Sequence, residues 1–245
     1  MTRVAVLGGG QLGWMLGLAG IPLGLSFRFL DPSDVAPARA VGDVVVGALD
    51  DIASATRAAE GARVVTYEWE GVPASTARAL EHLCPVLPPA LALEVSQDRV
   101  LEKERFESLG ITTAAFRSVD DQDSLHEAVD VVGLPAVLKT RRGGYDGKGQ
   151  AILRDAFDVD AAWERLGDQP LILEAFVEFR RELSIVGVRG RDGTTLCWPV
   201  VENQHVDGIL RMTRAPAPGW NEELQARAEG CLAPLFESLD YVGVG

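Results

Sequence analysis

The run Arg3-Val4-Ala5-Val6-Leu7, followed at once by Gly8-Gly9-Gly10-Gln11-Leu12-Gly13, leaves few folds open to this chain. An apolar run of that length reads as a strand buried on both faces, and the glycines turn the backbone into a helix that begins near Gln11. The alternation continues through strand Leu25 to Leu30, strand Val44 to Val46, the Ala-rich helix Asp50 to Glu60, strand Val64 to Tyr67, helix Ala74 to Leu83 and strand Val86-Leu87, up to Pro88-Pro89. Strands alternating with helices imply a parallel sheet covered on both faces, with ligands at the carboxyl ends of the strands. GGGQLG is also a GxGxxG match, and Asp31, 18 residues after Gly13, lies near where a dinucleotide fold places its ribose carboxylate. The motif alone guarantees only a tight turn and a helix N-terminus able to face an anion, so a dehydrogenase stays open as a reading. At the next strand end, Glu68 and Glu70 read equally as ligand contacts or solvated carboxylates.

From Asp98 the pattern changes. Asp98 to Gly110 reads as an amphipathic helix with an N-terminal cap and a glycine stop. Strand Thr113 to Arg117, helix Ser124 to Val132, strand Ala136 to Lys139, a glycine-rich loop, strand Gln150 to Leu153 and helix Asp158 to Leu166 then make a small α+β unit. Pro170 to Glu178 is a strand running into a turn. Two long strands, Leu183 to Arg189 and Thr194 to Val201, are joined by Gly190-Arg191-Asp192-Gly193, whose Asp-Gly is a hairpin signal. Asn221 to Leu239 is a last helix, and a strand begins at Tyr241.

The loop between Lys139 and Gln150 carries glycines at 143, 144, 147 and 149, and Lys139 and Lys148, two of the chain's three lysines, bracket it. Glycines let the backbone approach a ligand closely, successive free N–H groups form an anion-binding concavity, and a compact ammonium suits a phosphate oxygen. The other reading is a hairpin tip with basic flanks, from which Lys139 would extend as an exposed residue of little weight in folding. It is no Walker loop, because a strand rather than a helix leaves it.

A net charge of −13, from 36 acidic and 23 basic residues, argues against a nucleic-acid partner or an anionic membrane surface. Any anionic substrate must then be held by a local basic site. The three cysteines are far apart and lack metal-ligand spacing, which fits a reducing, cytoplasmic setting.

The segment VLKTRRGGYDGKGQ resembles the glycine-rich flap of the ATP-grasp superfamily, and its Tyr-Asp resembles that of the 5-(carboxyamino)imidazole ribonucleotide synthetase family. GGGQLG is similar to that family's opening loop, Tyr67-Glu68-Trp69-Glu70-Gly71-Val72-Pro73 to its Tyr-Glu-Phe-Glu-Asn-Val-Pro, and Glu202 to Arg211 to its strand, histidine and Gly-Ile-Leu-Arg run. Trp14, where the family usually carries arginine, Trp69 and Gly71 depart from the pattern. The resemblance runs through the whole chain in order. It implies an α/β fold: a Rossmann-like parallel-sheet domain over 1–97 that holds no dinucleotide, then an incomplete α+β ATP-grasp domain, with its lid over 98–173 and a second subdomain over 174–245.

The same resemblance implies an ATP-dependent carbon–nitrogen ligase of purine biosynthesis, the alternatives being another ATP-grasp carboxylase or carboxylate–amine ligase, or a non-catalytic nucleotide-binding protein. The ligase's substrates are ATP, bicarbonate and 5-aminoimidazole ribonucleotide, and the parent enzyme is expected in the cytoplasm, with a homodimer as one form. Lys139, Lys148 and Arg211 would act on the transferring groups. Nucleotide contacts would come from Arg99, Lys139, Gly144, Tyr145, Asp146, Gly147, Lys148, Gly149, Gln150, the hinge Glu174-Ala175-Phe176-Val177, Glu182 on the ribose, and His205. Gln11, Leu12, Tyr145 and Asp146 would meet the ribonucleotide. In the family the magnesium ligands follow a Tyr-Val-Gly-Val segment; this sequence stops at Tyr241-Val242-Gly243-Val244-Gly245. The expectation is a truncated product without its own metal ligands, which binds nucleotide but does not carboxylate.

Overall fold

A computed structural model describes residues 1–143, 149–206 and 208–245. The chain forms two compact units. The first comprises Met1–Glu94, Arg189–Gly193 and Phe236–Gly243; the second comprises Val95–Val188, Thr194–Leu235 and Val244–Gly245.

In the first unit the expected alternation appears as β1 (Thr2–Leu7), α1 (Gln11–Gly20), β2 (Leu25–Asp31), β3 (Asp43–Val46), α2 (Ile52–Ala59), β4 (Val64–Tyr67) and α3 (Ala74–Leu80). The four strands form a parallel sheet in the order β3-β2-β1-β4. Strand β1 serves two cores at once, as a strand buried on both faces must. Ala5 and Leu7 join the cluster of Leu30, Ala55, Ala58, Ala77 and Leu80, while Val4 and Val6 join that of Phe27, Phe29 and Ala38. Helix α1 packs through glycine rather than through apolar side chains. A Cβ on Gly17 would lie 2.3 Å from Val41 Cγ2, so only hydrogen lets the helix approach this closely.

Two expectations are corrected here. Val86-Leu87 is a single bridge to Val65 rather than a strand, because Pro85 and Pro88 on either side lack the N–H a ladder needs. A further helix, α4 (Ala90–Ser96), stands where no element was expected. Its first-turn Ala90 N–H donates to Glu81 Oε1 at 2.8 Å, a cap brought from nine residues upstream that no local motif announces.

The second unit contains α5 (Arg99–Ser108), β5 (Phe116–Val119), α6 (Gln122–Val132), β6 (Ala136–Thr140), β7 (Gln150–Leu153), α7 (Ala156–Leu166) and β8 (Leu171–Ala175). The helix from Asp98 is as expected: the Asp98 carboxylate accepts from Val100 and Leu101 N–H, and Gly110 ends the helix at φ 72°. Strand β5 lies later than the expected Thr113 to Arg117. The sheet is antiparallel, in the order β5-β8-β6-β7. Its strands divide by parity. Ala136, Leu138, Leu171 and Leu173 face α6 and α7 in one core, and Ile172 packs with Val100 of α5 and Phe116 on the other face. Lys139 and Glu174, offset by one residue from the first set, belong with Ile172.

The two long strands expected after Glu182 are each broken. They appear as β9 (Glu182–Ser184), β10 (Gly187–Arg189), β11 (Thr195–Cys197) and β12 (Val201–Val206). Strand β12 pairs antiparallel with β13 (Ile209–Arg214), and α8 (Glu222–Ser238) and β14 (Gly243–Val244) follow. Pro199 interrupts the second stretch, since it cannot donate to a ladder. The expected turn is present, with Gly193 at φ 84° donating to Gly190 O at 3.0 Å. Separate sheets form in the orders β13-β12-β9 and β11-β10-β14.

Candidate functional site

Parity on β6 and β8 brings Lys139 and Glu174 together as diagonal neighbours, and the Lys139 ammonium donates to Glu174 Oε2 at 2.9 Å. Glu174 is 8% exposed. A carboxylate that deep needs a charged partner, so Lys139 is not the exposed loop residue the sequence suggested but half of a largely buried ion pair. From the facing helix, Lys103 Nζ reaches the same Oε2 at 3.7 Å and stands 5.6 Å over the Phe116 ring. Burial pushes the carboxyl of the adjacent Glu102 above the usual range, against the pull of Arg99 and Lys103 and with a smaller push from Glu174.

The root of the glycine loop is fixed by Asp98. Beyond capping α5, its carboxylate takes a two-point hydrogen bond from Arg141, Nε at 3.1 Å and Nη2 at 2.8 Å, and Arg142 Nε lies 3.4 Å away. Burial acts to raise the Asp98 carboxyl; the hydrogen bond and charge of Arg141, with the Val100 and Leu101 N–H groups, outweigh it and hold the group below the usual carboxylate range. Arg99 completes the root: its N–H donates to Arg141 O at 3.0 Å and its guanidinium to Thr140 O at 2.8 Å. Four basic side chains, Arg99, Lys139, Arg141 and Arg142, thus surround the point at which the chain enters the loop.

Glu182 and His205 also meet. They lie on the paired strands β9 and β12, and His205 Nδ1 is 2.9 Å from Glu182 Oε2. A bulge sits here: Gln204 and His205 face Met212 and Leu210, so Arg211 is the extra residue on β13. Bulges re-aim side chains, and this one lies beside the His205–Glu182 pair. In the segment expected as the hinge, Ala175 N–H donates to Ala115 O at 2.8 Å and Phe176 N–H to Pro135 O at 3.1 Å. Of the remaining expected nucleotide residues, Gly149 and Gln150 lead into β7, where Gln150 pairs with Lys139. Gly144, Tyr145, Asp146, Gly147 and Lys148 fall outside the described residues.

The first glycine loop is arranged differently. Gly9 N–H donates to Asp31 Oδ2 at 2.8 Å and Gly10 N–H to Glu68 Oε1 at 3.1 Å. The carboxylates occupy the donors that a pyrophosphate would use, which removes the support that GxGxxG lent to a dinucleotide. Gln11 and Leu12 are exposed at the start of α1. Two departures from the family pattern explain one another: a Cβ on Gly71 would lie 2.4 Å from the Trp69 ring, so the larger indole occupies space that the smaller residue leaves.

Sequence reasoning missed Asp98 as the loop anchor, Arg141 and Lys103. The available signal was the i, i+4 spacing of Arg99 and Lys103, which puts both on one face of α5. Among the described residues no three His, Cys, Asp or Glu side chains gather into a group that could hold a metal ion. Among the same residues no helix is long and apolar enough to cross a membrane.

Comparison with known proteins gives a consistent result. Residues 1–97 match the ribonucleotide synthetase preATP-grasp domain and residues 104–245 the ATP-grasp domain. N5-carboxyaminoimidazole ribonucleotide synthase of Pseudomonas aeruginosa is 46% identical over 242 residues, 99% of this chain and 66% of the relative. That of Brucella melitensis is 41% identical, over 99% of this chain and 68% of the relative. The chain thus spans about two thirds of the length of these curated relatives. The crystal structure of the Thermus thermophilus synthetase superposes with a TM-score of 0.92 at 53% identity, over 98% of this chain and 65% of that one. The Aspergillus clavatus enzyme in complex with ADP and 5-aminoimidazole ribonucleotide superposes at 0.90 with 27% identity, over 99% and 64%. The chain belongs to the ATP-grasp superfamily, among the N5-carboxyaminoimidazole ribonucleotide synthases.

Proposed function

We propose that the protein to which this chain corresponds carboxylates 5-aminoimidazole ribonucleotide at the expense of ATP and bicarbonate, in a cytoplasmic setting, with 98–173 as the lid and 174–245 as part of the second ATP-grasp half. The observation that carries the reading is the Lys139–Glu174 pair at the root of a glycine-rich loop ringed by Arg99, Arg141 and Arg142. In a chain of net charge −13, such a concentration of cations supplies the local field a polyphosphate requires. The γ-phosphoryl group of ATP passes to a bicarbonate oxygen, giving carboxyphosphate and ADP. The exocyclic amine of the ribonucleotide then takes the carboxyl carbon, with phosphate leaving and the amine losing a proton.

In this reading Lys139 and Lys148 contact phosphate, and carboxyphosphate is kept from water until the amine takes its carboxyl group. Glu182, acceptor-only when ionised, takes the ribose hydroxyls, and His205 holds its carboxylate from the neighbouring strand. Adenine meets the hinge through carbonyls and through N–H groups from Val177 onward, since those of Ala175 and Phe176 are engaged. Arg99 acts at the loop root, Arg211 offers its guanidinium to bicarbonate or phosphate, and Gln11, Leu12, Tyr145 and Asp146 meet the ribonucleotide. A second reading, for the 245-residue chain alone, is nucleotide binding without turnover. Phosphate release from ATP, measured with and without bicarbonate and with and without the ribonucleotide, tests both. Release that requires both substrates at about 1 per second or faster supports carboxylation by this chain, and ATP binding without release supports the second reading.

A further inference from the structure

Lys103 has no place in the catalytic scheme above, yet it is one of only three lysines in the chain and stands 15% exposed against a nearly buried carboxylate. We propose that Lys103 is a positioning residue for phosphate binding, which shares Glu174 with Lys139 and so leaves the Lys139 ammonium available to an incoming polyphosphate anion. The inference rests on the nucleotide reading of the site and deepens it.

Both ammonium groups address the same oxygen, Glu174 Oε2, Lys139 at 2.9 Å and Lys103 at 3.7 Å. At that oxygen two ammonium groups meet one carboxylate, and Glu102 and Arg99 beside them add one ionisable group of each sign, so Glu174 itself is faced by one cation more than it needs. With Lys103 removed, Glu174 and Lys139 would balance each other, and a buried carboxylate with a single counter-ion holds it tightly. Lys139 would then have to abandon an otherwise unpaired buried charge in order to meet a phosphate. With Lys103 present, Glu174 keeps a partner when Lys139 turns away. The geometry favours that division of work. Lys103 is the longer contact, comes from a helix rather than from the strand that leads into the glycine loop, and is steadied over the Phe116 ring at 5.6 Å. Lys139 lies one residue before the end of β6, at the entrance to the loop.

The test is a binding cycle on the 245-residue chain, with calorimetric titration of ATP and of adenosine into the parent, K103M, K103R, E174Q and K103M/E174Q. Methionine keeps the apolar stem and removes the charge; K103Q replaces it if K103M does not fold. Loss of Lys103 should weaken ATP by about tenfold, the effect of one charged hydrogen-bonding partner, with adenosine changed less than about twofold and ATP affinity retained in K103R. Removing the Glu174 charge should make Lys103 dispensable, so that K103M/E174Q binds ATP about as well as E174Q. A merely structural lysine would lower both ligands alike and would gain nothing from E174Q. Unchanged ATP affinity in K103M, equal losses for ATP and adenosine, or a double variant no better than K103M would overturn the proposal while leaving the nucleotide reading intact. A parent chain that binds no ATP would overturn both.

Discussion

The chain carries two glycine-rich loops that look alike as sequence, but carboxylates meet the first and basic side chains stand at the root of the second. At the first loop the Gly9 and Gly10 N–H groups donate to the carboxylates of Asp31 and Glu68, and that of Gly8 to Leu30 O. At the root of the second loop stand Arg99, Lys139, Arg141 and Arg142. Glycine supplies the backbone freedom in both places, but it does not decide what the freedom is used for. The groups opposite decide: carboxylates turn a phosphate-style nest into an internal brace, and cations at a loop's root favour an anion there.

The largest effect should come from removing the anchor of the second loop. Asp98→Ala deletes a helix cap worth about 1 kcal/mol and the buried partner of two arginines, and should cost about 3 kcal/mol in denaturant unfolding. Asp98→Asn keeps the cap and should cost less. The Asp98 carboxyl is held below its ordinary value of 3.8, so its contribution is fully present above that value and is lost as the pH falls through the lower, folded value. The gap between parent and D98A should therefore close in acid; a gap that stays constant from neutral pH to below 3.8 would mean the ion pair contributes nothing. Next in size, Lys139→Ala should weaken ATP by roughly thirtyfold, a charged contact of about 2 kcal/mol. Unchanged affinity in that variant would remove the distinction between the loops. In contrast, Gly8→Ala should affect stability alone. At φ +100°, with Glu68 Oε1 2.7 Å from the new Cβ, it should destabilise by about 1–3 kcal/mol while leaving ATP affinity of the folded protein as it was.

What could be read from the sequence follows from how local each signal is. The cap at Asp98, the stop at Gly110, the hairpin strands β6 and β7 and the parallel alternation of the first unit are written in neighbouring residues, and all are present. Lys139 was legible as a site residue because a strand, a lysine and four glycines stand together. Its partner was not: Glu174 is 35 residues away, and the pairing needs the strand order β8-β6 and the parity of both strands. Lys103 needed, in addition, the packing of α5 on that face. Glu68 reaches Gly10 over 58 residues, so nothing near GGGQLG shows that the loop is already filled. At Pro199 the signal was local: a residue that cannot donate stands inside the stretch Thr194 to Val201 and ends its ladder.

Smaller effects probe the edges of the comparison. Glu182→Gln should weaken ATP by about tenfold, and 2′,3′-dideoxy-ATP by much less, because only the former brings hydroxyls to the carboxylate. The His205 contact at 2.9 Å makes a matching, smaller loss expected for His205→Ala. Equal losses for the two nucleotides would remove Glu182 from the ribose.

The smallest effect belongs to Glu68→Gln, and it tests the first loop directly. The amide oxygen can still accept from Gly10 N–H, so the brace persists and stability should change by less than about 1 kcal/mol. The charge is what disappears. One unit charge about 4 Å from another is worth about 1 kcal/mol in water, a factor of about five. Inorganic pyrophosphate should therefore bind the parent's first loop weakly and the variant about fivefold more tightly, measured in a Lys139→Ala background that suppresses binding at the second loop. Adding Asp31→Asn should raise it again by a similar factor. If the opposed carboxylates are what separates the two loops, affinity must climb with each charge removed; a parent loop that already binds pyrophosphate tightly, or variants that bind no better, would mean the carboxylates are incidental and the contrast lies in backbone geometry.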